Sequence, residues 1–256
     1  MRLTDQQTGY VSEIFCSIQG EGVYVGERQV FLRTAGCATT CRWCDTVWSK
    51  ERTDVCVVHG RETRELTNPV TAVEALDETL TLVRAGAPVK TVSITGGEPL
   101  EQPAFVADIA RRLKDHGLRV YLETNGLEVG GLGSMGSHVD VVAMDIKLPS
   151  ATGKDHWDVH RDFLGALPGV EVFVKLVVEP ITPFDEIEKA VRLIAGAGRD
   201  IPLVLQPESS AYLEGTRGAR GRSALLEMIE RAQRFGLEHV SDVRVIPQCH
   251  RLLNVR

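Results

Sequence analysis

Three cysteines, Cys37, Cys41 and Cys44, fall within eight residues, shortly after the apolar run Val30-Phe31-Leu32. Thiolates crowded this closely repel one another, and they stay together when a disulfide or a soft cation compensates. Three thiols cannot all pair, so the spacing points to a metal. A structural zinc commonly closes with four ligands, often in two separated Cys-x-x-Cys pairs, whereas this stretch offers three cysteines and no second pair. One coordination position is left for something else. A zinc knuckle completed by Cys56 or His59, both downstream and able to coordinate, is the alternative. A second stretch, Thr95-Gly96-Gly97-Glu98-Pro99, combines two glycines that let backbone approach closely with a carboxylate able to accept from an ammonium. That combination suits the binding of an amino acid, although on its own it also reads as a turn.

The elements that must position these residues follow from hydrophobic periodicity. Short β-rich runs recur at Val30–Arg33, Thr91–Ile94, Arg119–Leu122, Val139–Met144, Val170–Val178, Leu203–Leu205 and Val243–Ile246. Between most of them apolar residues recur at helical spacing: Val73/Leu76/Leu80/Val83, Phe105/Ile109/Leu113, Phe184/Ile187/Val191/Ile194 and Leu225/Ile229/Ala232/Phe235. Strands alternating with helices predict an α/β fold with a parallel sheet, curled by right-handed crossovers into an incomplete, TIM-like barrel with helices outside. Such sheets place chemistry at the carboxyl ends of their strands. The sequence agrees: one strand after another runs into polar residues, at Arg33, Thr95–Pro99, Glu123–Gly126, Asp145–Lys147, Gln206-Pro207 and Pro247–His250.

The chain of 256 residues is long enough for a substantial core and is expected to form a single domain over 1–256. Hydrophobic residues at 43% and charged residues at 25% describe a globular protein without a membrane span, and residues 1–9 lack the pattern of a signal peptide, so the expected setting is the cytoplasm. A net charge of −6 argues against a nucleic-acid surface and for a small substrate. Some stretches are expected to be plain. Gly131–Gly136 matches G-x-G-x-x-G but lacks the preceding strand and following helix, so it reads as a flexible glycine loop. Glu214–Arg222 reads as a solvated basic loop, and Val47–Asn68 as an irregular excursion. Cys16 and Cys249 read as buried thiols.

The x3, x2 cysteine spacing, with Trp43 just before the last cysteine, resembles the signature of the radical S-adenosylmethionine enzymes, and Gly-Gly-Glu-Pro one strand later resembles their methionine-binding element. Glu13–Gly22, Phe31–Gly36, Cys44-Asp45-Thr46, Glu123–Gly126 and Val245–His250 extend the resemblance over nearly the whole chain, to the 7-carboxy-7-deazaguanine synthases. The resemblance implies that Cys37, Cys41 and Cys44 hold a [4Fe-4S] cluster whose fourth iron takes S-adenosylmethionine. It further implies a radical ring contraction of 6-carboxytetrahydropterin to 7-carboxy-7-deazaguanine with loss of ammonia, on the way to 7-deazapurines such as queuosine. No side chain would be catalytic, since the cofactor carries the radical chemistry. Trp43, Gly96, Gly97, Glu98, Asp145, Ile146, Lys147 and Gln206 would bind S-adenosylmethionine. Ile18, Gln19, Gly20, Glu21, Thr95, Gln248 and His250 would meet the substrate, with Arg33 on its carboxylate and Thr46 on a Mg2+ ion. An electron donor such as flavodoxin and a homodimer are also implied. Each residue has a plainer alternative: Thr46 as a turn residue or cap, Arg33 as a surface ion pair, Gln19-Gly20 as a turn, Gln248 and His250 as a core pair. Activases that place a glycyl radical on a partner protein share the cysteine spacing and Gly-Gly-Glu-Pro, but the Gln19–Gly22 and Pro247–His250 stretches favour a pocket for a small molecule.

Anaerobic reconstitution should therefore load about four irons per chain. Cys41→Ala should abolish the cluster and all cleavage of S-adenosylmethionine. Iron analysis with an absorption spectrum checks this, and stoichiometric zinc with no iron retained would contradict it.

Overall fold

The computed structural model describes residues 7–86, 88–167, 169–213 and 218–256. Its strands are β1 (Thr8–Gly9), β2 (Val11–Ile18), β3 (Arg28–Thr34), β4 (Val55–His59), β5 (Thr63–Thr67), β6 (Val70–Thr71), β7 (Thr91–Gly96), β8 (Arg119–Thr124), β9 (Val141–Asp145), β10 (Glu171–Val178), β11 (Leu203–Pro207) and β12 (Val243–Val245). The helices are α1 (Ala72–Arg84), α2 (Pro103–Asp115), α3 (Val129–Met135), α4 (Pro149–Thr152), α5 (Trp157–Ala166), α6 (Phe184–Ala195), α7 (Ser209–Leu213), α8 (Gly218–Leu237) and α9 (Cys249–Leu253). All seven expected strands are present, in one ten-stranded sheet of order β12-β11-β10-β9-β8-β7-β3-β2-β4-β5. From β3 to β12 every neighbouring pair is parallel. β5 and β12 form free edges, so the barrel is open, as the alternation of strands and helices predicts. No helix among the described residues is long and apolar enough to cross a membrane.

Side chains alternate across a strand, and this sheet uses the two faces differently. Leu32, Ile94, Leu122, Met144, Val174 and Leu205 belong to the large helix-side core. On the concave face Tyr121, Val141, Ala143, Phe173 and Val204 pack a smaller apolar floor. One step further along those strands, toward their carboxyl ends, the concave face changes to Glu123, Asp145, Lys175 and Gln206. The helices that cover the outer face begin with clear signals. Thr71 caps α1 by accepting from Glu74 N–H at 3.2 Å, while Glu74 accepts from Thr71 N–H at 2.9 Å, closing a capping box. Pro103 starts α2.

Several expectations require correction. Residues 47–68 are irregular only in part: beyond a short turn at Val47–Ser49 and a loop to 54, β4 and β5 form a hairpin that extends the sheet beyond β2, with Cys56 and Val58 turned into the core. The run Val55-Cys56-Val57-Val58 carried that β signal. β2, read only as a motif, is a full strand antiparallel to β3. Gly131–Gly136 is not a loop, because Val129–Met135 forms α3, with Gly131 packed so closely on Leu100 that a β-carbon would collide with its carbonyl. Gly218–Arg222 opens α8, while the remainder of the expected basic loop, 214–217, lies outside the described residues. Cys16 and Cys249 are half-exposed; the fully buried thiol is Cys56.

One buried imidazole ties a helix to the strand ends. His160 on α5 is fully buried, and its Nε2 accepts the Lys147 backbone N–H at 3.0 Å. Desolvation pushes its pKa down from 6.5 to about 4. Between those values the unfolded chain binds a proton that the folded chain refuses, so stability contributed at neutral pH is lost as pH falls from 6.5 toward 4. His160→Gln keeps an acceptor at the same reach without the charge. Its melting temperature should fall by several degrees less than that of the parent between pH 7 and pH 4.5, and equal losses would contradict the assignment.

Candidate active site

The carboxyl ends of the strands surround a cavity of about 660 Å3, within the usual range for small-molecule sites. The cysteine loop forms one wall. Its entry is pinned by backbone bonds from Cys37 N to Lys50 O (2.9 Å), Gly97 N to Thr34 O (3.0 Å) and Glu98 N to Gly36 O (2.8 Å). A β-carbon on Gly96 would collide with Thr34, and one on Gly97 with Gly36, so the glycines are required by this backbone approach. Cys37, Cys41 and Cys44 are free, partly exposed and on the lining. Burial raises the pKa of Cys37 and Cys41, which keeps these thiols protonated until a cation draws the proton off.

The donor set fits an iron–sulfur cluster better than zinc. Among the described residues the one trio of ligand atoms within 4.8 Å of one another is Glu21, Asp45 and His250. The three thiols therefore do not all lie within 4.8 Å of one another, whereas tetrahedral Zn–S bonds of about 2.3 Å would bring every pair to roughly 3.8 Å. Neither proposed fourth zinc ligand is suitable. Cys56 is buried in the helix-side core with its pKa pushed up to about 12, and His59 Nε2 lies 3.3 Å from Glu13. Besides Asp145 Oδ1, which faces the Lys175 ammonium, two buried atoms on the lining residues have no hydrogen-bond partner among the described residues, Trp43 Nε1 and Gln206 Oε1, and both are available to a polar ligand.

Charged residues from separate strands converge on the rest of the cavity. Asp145 and Lys175 are register partners on β9 and β10, 3.3 Å apart, and Asp145 also binds Lys147 Nζ at 2.9 Å. Lys147 lies 4.7 Å from the Trp43 ring centroid. Lys175 also pairs with Glu21. Burial would raise the pKa of Glu21, but the Lys175 ammonium holds it below the usual range. Gln248 Nε2 donates to Glu21 and to Asp45, each at 2.7 Å. Burial would also raise Asp45, yet its contact with His250 lowers it. For His250, burial opposes the charge while Asp45 and Glu21 keep the pKa above its ordinary value. Gln19 donates to Glu123 at 3.0 Å, and Thr95 Oγ1 donates to the same carboxylate at 2.8 Å. Gly20 is packed so tightly on His250 that a β-carbon would strike the imidazole, and its carbonyl accepts Cys249 N–H at 2.8 Å. This close approach is the reason the two ends of the chain share a wall.

Ile18, Gln19, Gly20, Glu21, Arg33, Trp43, Thr46, Thr95, Gly96, Gly97, Asp145, Lys147, Gln206, Gln248 and His250, expected from sequence, all line this cavity. Glu98 and Ile146 do not. Glu98 is buried, and its carboxylate accepts from Leu100 N, Thr124 Oγ1 and Asn125 N at 2.7 to 3.0 Å, so it braces two strand ends rather than reaching the cavity. Ile146 is buried in the helix-side core. Sequence reasoning missed Glu13, Asp45 and Lys175 as lining residues, and it placed Glu123 at a strand end without giving it a role. A lysine inside the apolar strand Glu171–Val178 was a signal that could have exposed one of them.

Residues 31–200 match the model of the Radical SAM superfamily. The chain is 41% identical over 249 residues to a 7-carboxy-7-deazaguanine synthase of Geobacter sulfurreducens, covering 95% of this chain and 96% of that protein. It is 33% identical over 250 residues to the enzyme of the same name from Methanopyrus kandleri, covering 95% and 93%. The crystal structure of QueE from Escherichia coli shares the fold, with a TM-score of 0.59 at 20% identity over 95% of each chain. With an open parallel barrel, a three-thiol loop and these relatives, the chain belongs to the 7-carboxy-7-deazaguanine synthase family of the radical S-adenosylmethionine superfamily.

Proposed function

We propose that the cavity binds 6-carboxytetrahydropterin beside S-adenosylmethionine, and that the enzyme converts the pterin to 7-carboxy-7-deazaguanine and ammonia. The observation that carries this reading is the state of Arg33. Its Nε is bound to Glu13 at 2.9 Å, its two terminal nitrogens have no acceptor among the described residues, and it lines the same cavity as the three thiols. An open guanidinium fork matches a carboxylate in two parallel bonds.

A [4Fe-4S] cluster and S-adenosylmethionine are the cofactors of the superfamily. Cys37, Cys41 and Cys44 would hold the cluster. Trp43, the Gly96-Gly97 backbone, Asp145, Lys147 and Gln206 would hold S-adenosylmethionine, with Ile146 limited to its backbone and Glu98 acting as a brace. When bound, these cofactors supply the one-electron chemistry that makes a carbon radical at C6 of the pterin. The chain's own residues fix the substrate for it: Arg33 takes the carboxylate, while Gln19, Glu21, Thr95, Gln248 and His250 surround the polar ring edge, with Ile18 and Gly20 shaping the wall. A flavodoxin-type donor, a homodimer and a cytoplasmic setting complete the reading.

Thr46 would bind Mg2+, a hard ion suited to a hydroxyl and the substrate carboxylate. Its backbone carbonyl accepts from Ser49, but its hydroxyl caps no helix, and among the described residues its one hydrogen-bond contact is with Cys44 Sγ at 3.9 Å. The reconstituted enzyme, incubated anaerobically with reductant, S-adenosylmethionine and the pterin, should release 7-carboxy-7-deazaguanine; no product would refute the function. Thr46→Ala should retain the cluster and cofactor binding but lose most of the Mg2+ stimulation of turnover, on the order of a hundredfold in rate. Thr46→Ser should keep it. Equal stimulation in the alanine variant would mean that the ion binds elsewhere.

A further inference from the structure

We infer that Glu13 is the positioning residue for the carboxylate-binding arginine, an inference that rests on the reading of Arg33 above. Glu13 and Arg33 are direct partners across the antiparallel β2–β3 pair, and Arg33 is in turn the register partner of Thr95 on β7. The β2 register shifts between Val11 and Glu13. An irregularity of this kind re-aims side chains, and here Glu13 and Arg33 both reach the cavity. The guanidinium is then held on two sides. Glu13 Oε1 takes its Nε at 2.9 Å, and the Phe15 ring, stacked on Phe31 at 5.0 Å, lies beneath it at 5.6 Å from the ring centroid. With the Nε edge occupied, the end-on pair of terminal nitrogens is what remains for a ligand.

The cavity explains why such restraint matters. Its lining carries Glu21, Asp45, Glu123 and Asp145 besides Glu13, so a loose arginine has several carboxylates on which to collapse. Glu13 is 5% exposed and occupied on both oxygens. Its Oε2 meets Arg256 Nη1 at 2.7 Å and His59 Nε2 at 3.3 Å, and the Arg256 carbonyl accepts from Ser17 Oγ at 2.6 Å. The same carboxylate that aims Arg33 is thereby anchored by the segment following α9 and by the β4–β5 hairpin. No part of the reaction requires Glu13 to touch the substrate; its effect is transmitted through Arg33.

The test compares two ligands on the reconstituted holoenzyme with S-adenosylmethionine and no reductant: 6-carboxytetrahydropterin and tetrahydropterin, which lacks the carboxylate. Glu13→Gln should weaken the carboxylated ligand roughly ten- to a hundredfold and leave the other unchanged. Arg33→Met should discriminate in the same way and more strongly, and adding Glu13→Gln to it should cost nothing further. Should Glu13→Gln not fold, Glu13→Asp, which keeps the charge but draws it back, serves in the same comparison. Equal weakening of both ligands, or of neither, would overturn the inference and reduce Glu13 to a structural ion pair. If Arg33→Met discriminates and Glu13→Gln does not, only the positioning role falls. If Arg33→Met itself fails to discriminate, the carboxylate reading of Arg33 falls, and the inference with it.

Discussion

One buried ammonium joins the two halves of this site. Lys175 stands on β10 with Asp145 beside it on β9 and Glu21 reaching it from the turn after β2. A charge taken this far from water is costly unless it is paired, and here Glu21 and Asp145 pair it. Burial lowers the pKa of a lysine, yet Asp145 and Glu21 hold that of Lys175 well above its ordinary value, so the cation persists. The arrangement fixes the carboxylates of Glu21 and Asp145, the one proposed above to face the pterin and the other S-adenosylmethionine, against a common centre. Other pairings then fall into place around them: Asp145 with Lys147, Lys147 over Trp43, Glu21 with Gln248, Gln248 with Asp45.

The sheet makes this possible by ordinary geometry. Parallel strands in register bring residues distant in sequence to the same level, and alternation sends every second side chain to the concave face. Apolar side chains fill that face lower down, at Tyr121, Ala143 and Phe173, and charged ones follow two residues later at Glu123, Asp145 and Lys175. The floor excludes water beneath the site, which strengthens each ion pair above it. Glycines at Gly20, Gly96 and Gly97 then allow the turn after β2 and the cysteine loop to close against their neighbours.

Much of this was legible from the chain alone, because periodicity and strand-end chemistry are local. The seven parallel strands and the thiol loop follow from residue type and spacing, and most of the cavity lining from the family resemblance that the motifs carry. What stayed hidden depends on pairing over distance. β2 reads as a motif because its role, to pair antiparallel with β3 and carry Glu13 beside Arg33, is visible only once the strands are adjacent. Glu98 looks like a ligand carboxylate, since nothing in Gly-Gly-Glu-Pro reveals that Leu100, Thr124 and Asn125 occupy its oxygens. The helix over Gly131–Met135 runs against glycine's low helix propensity and is held by packing on Leu100. Lys175 was the detectable omission, a cation within a strand that is otherwise almost wholly apolar.

Lys175→Met tests the shared ammonium most directly, because it keeps a side chain of similar length and removes only the charge. The three cysteines proposed to hold the cluster lie on a separate loop, so the reconstituted variant should show an unchanged iron content and absorption spectrum. Anaerobic titrations should then find S-adenosylmethionine and the pterin each bound at least roughly tenfold more weakly, as two carboxylates lose their common partner. Unaltered affinity for both ligands would contradict the claim that this one buried cation organises the two halves of the site.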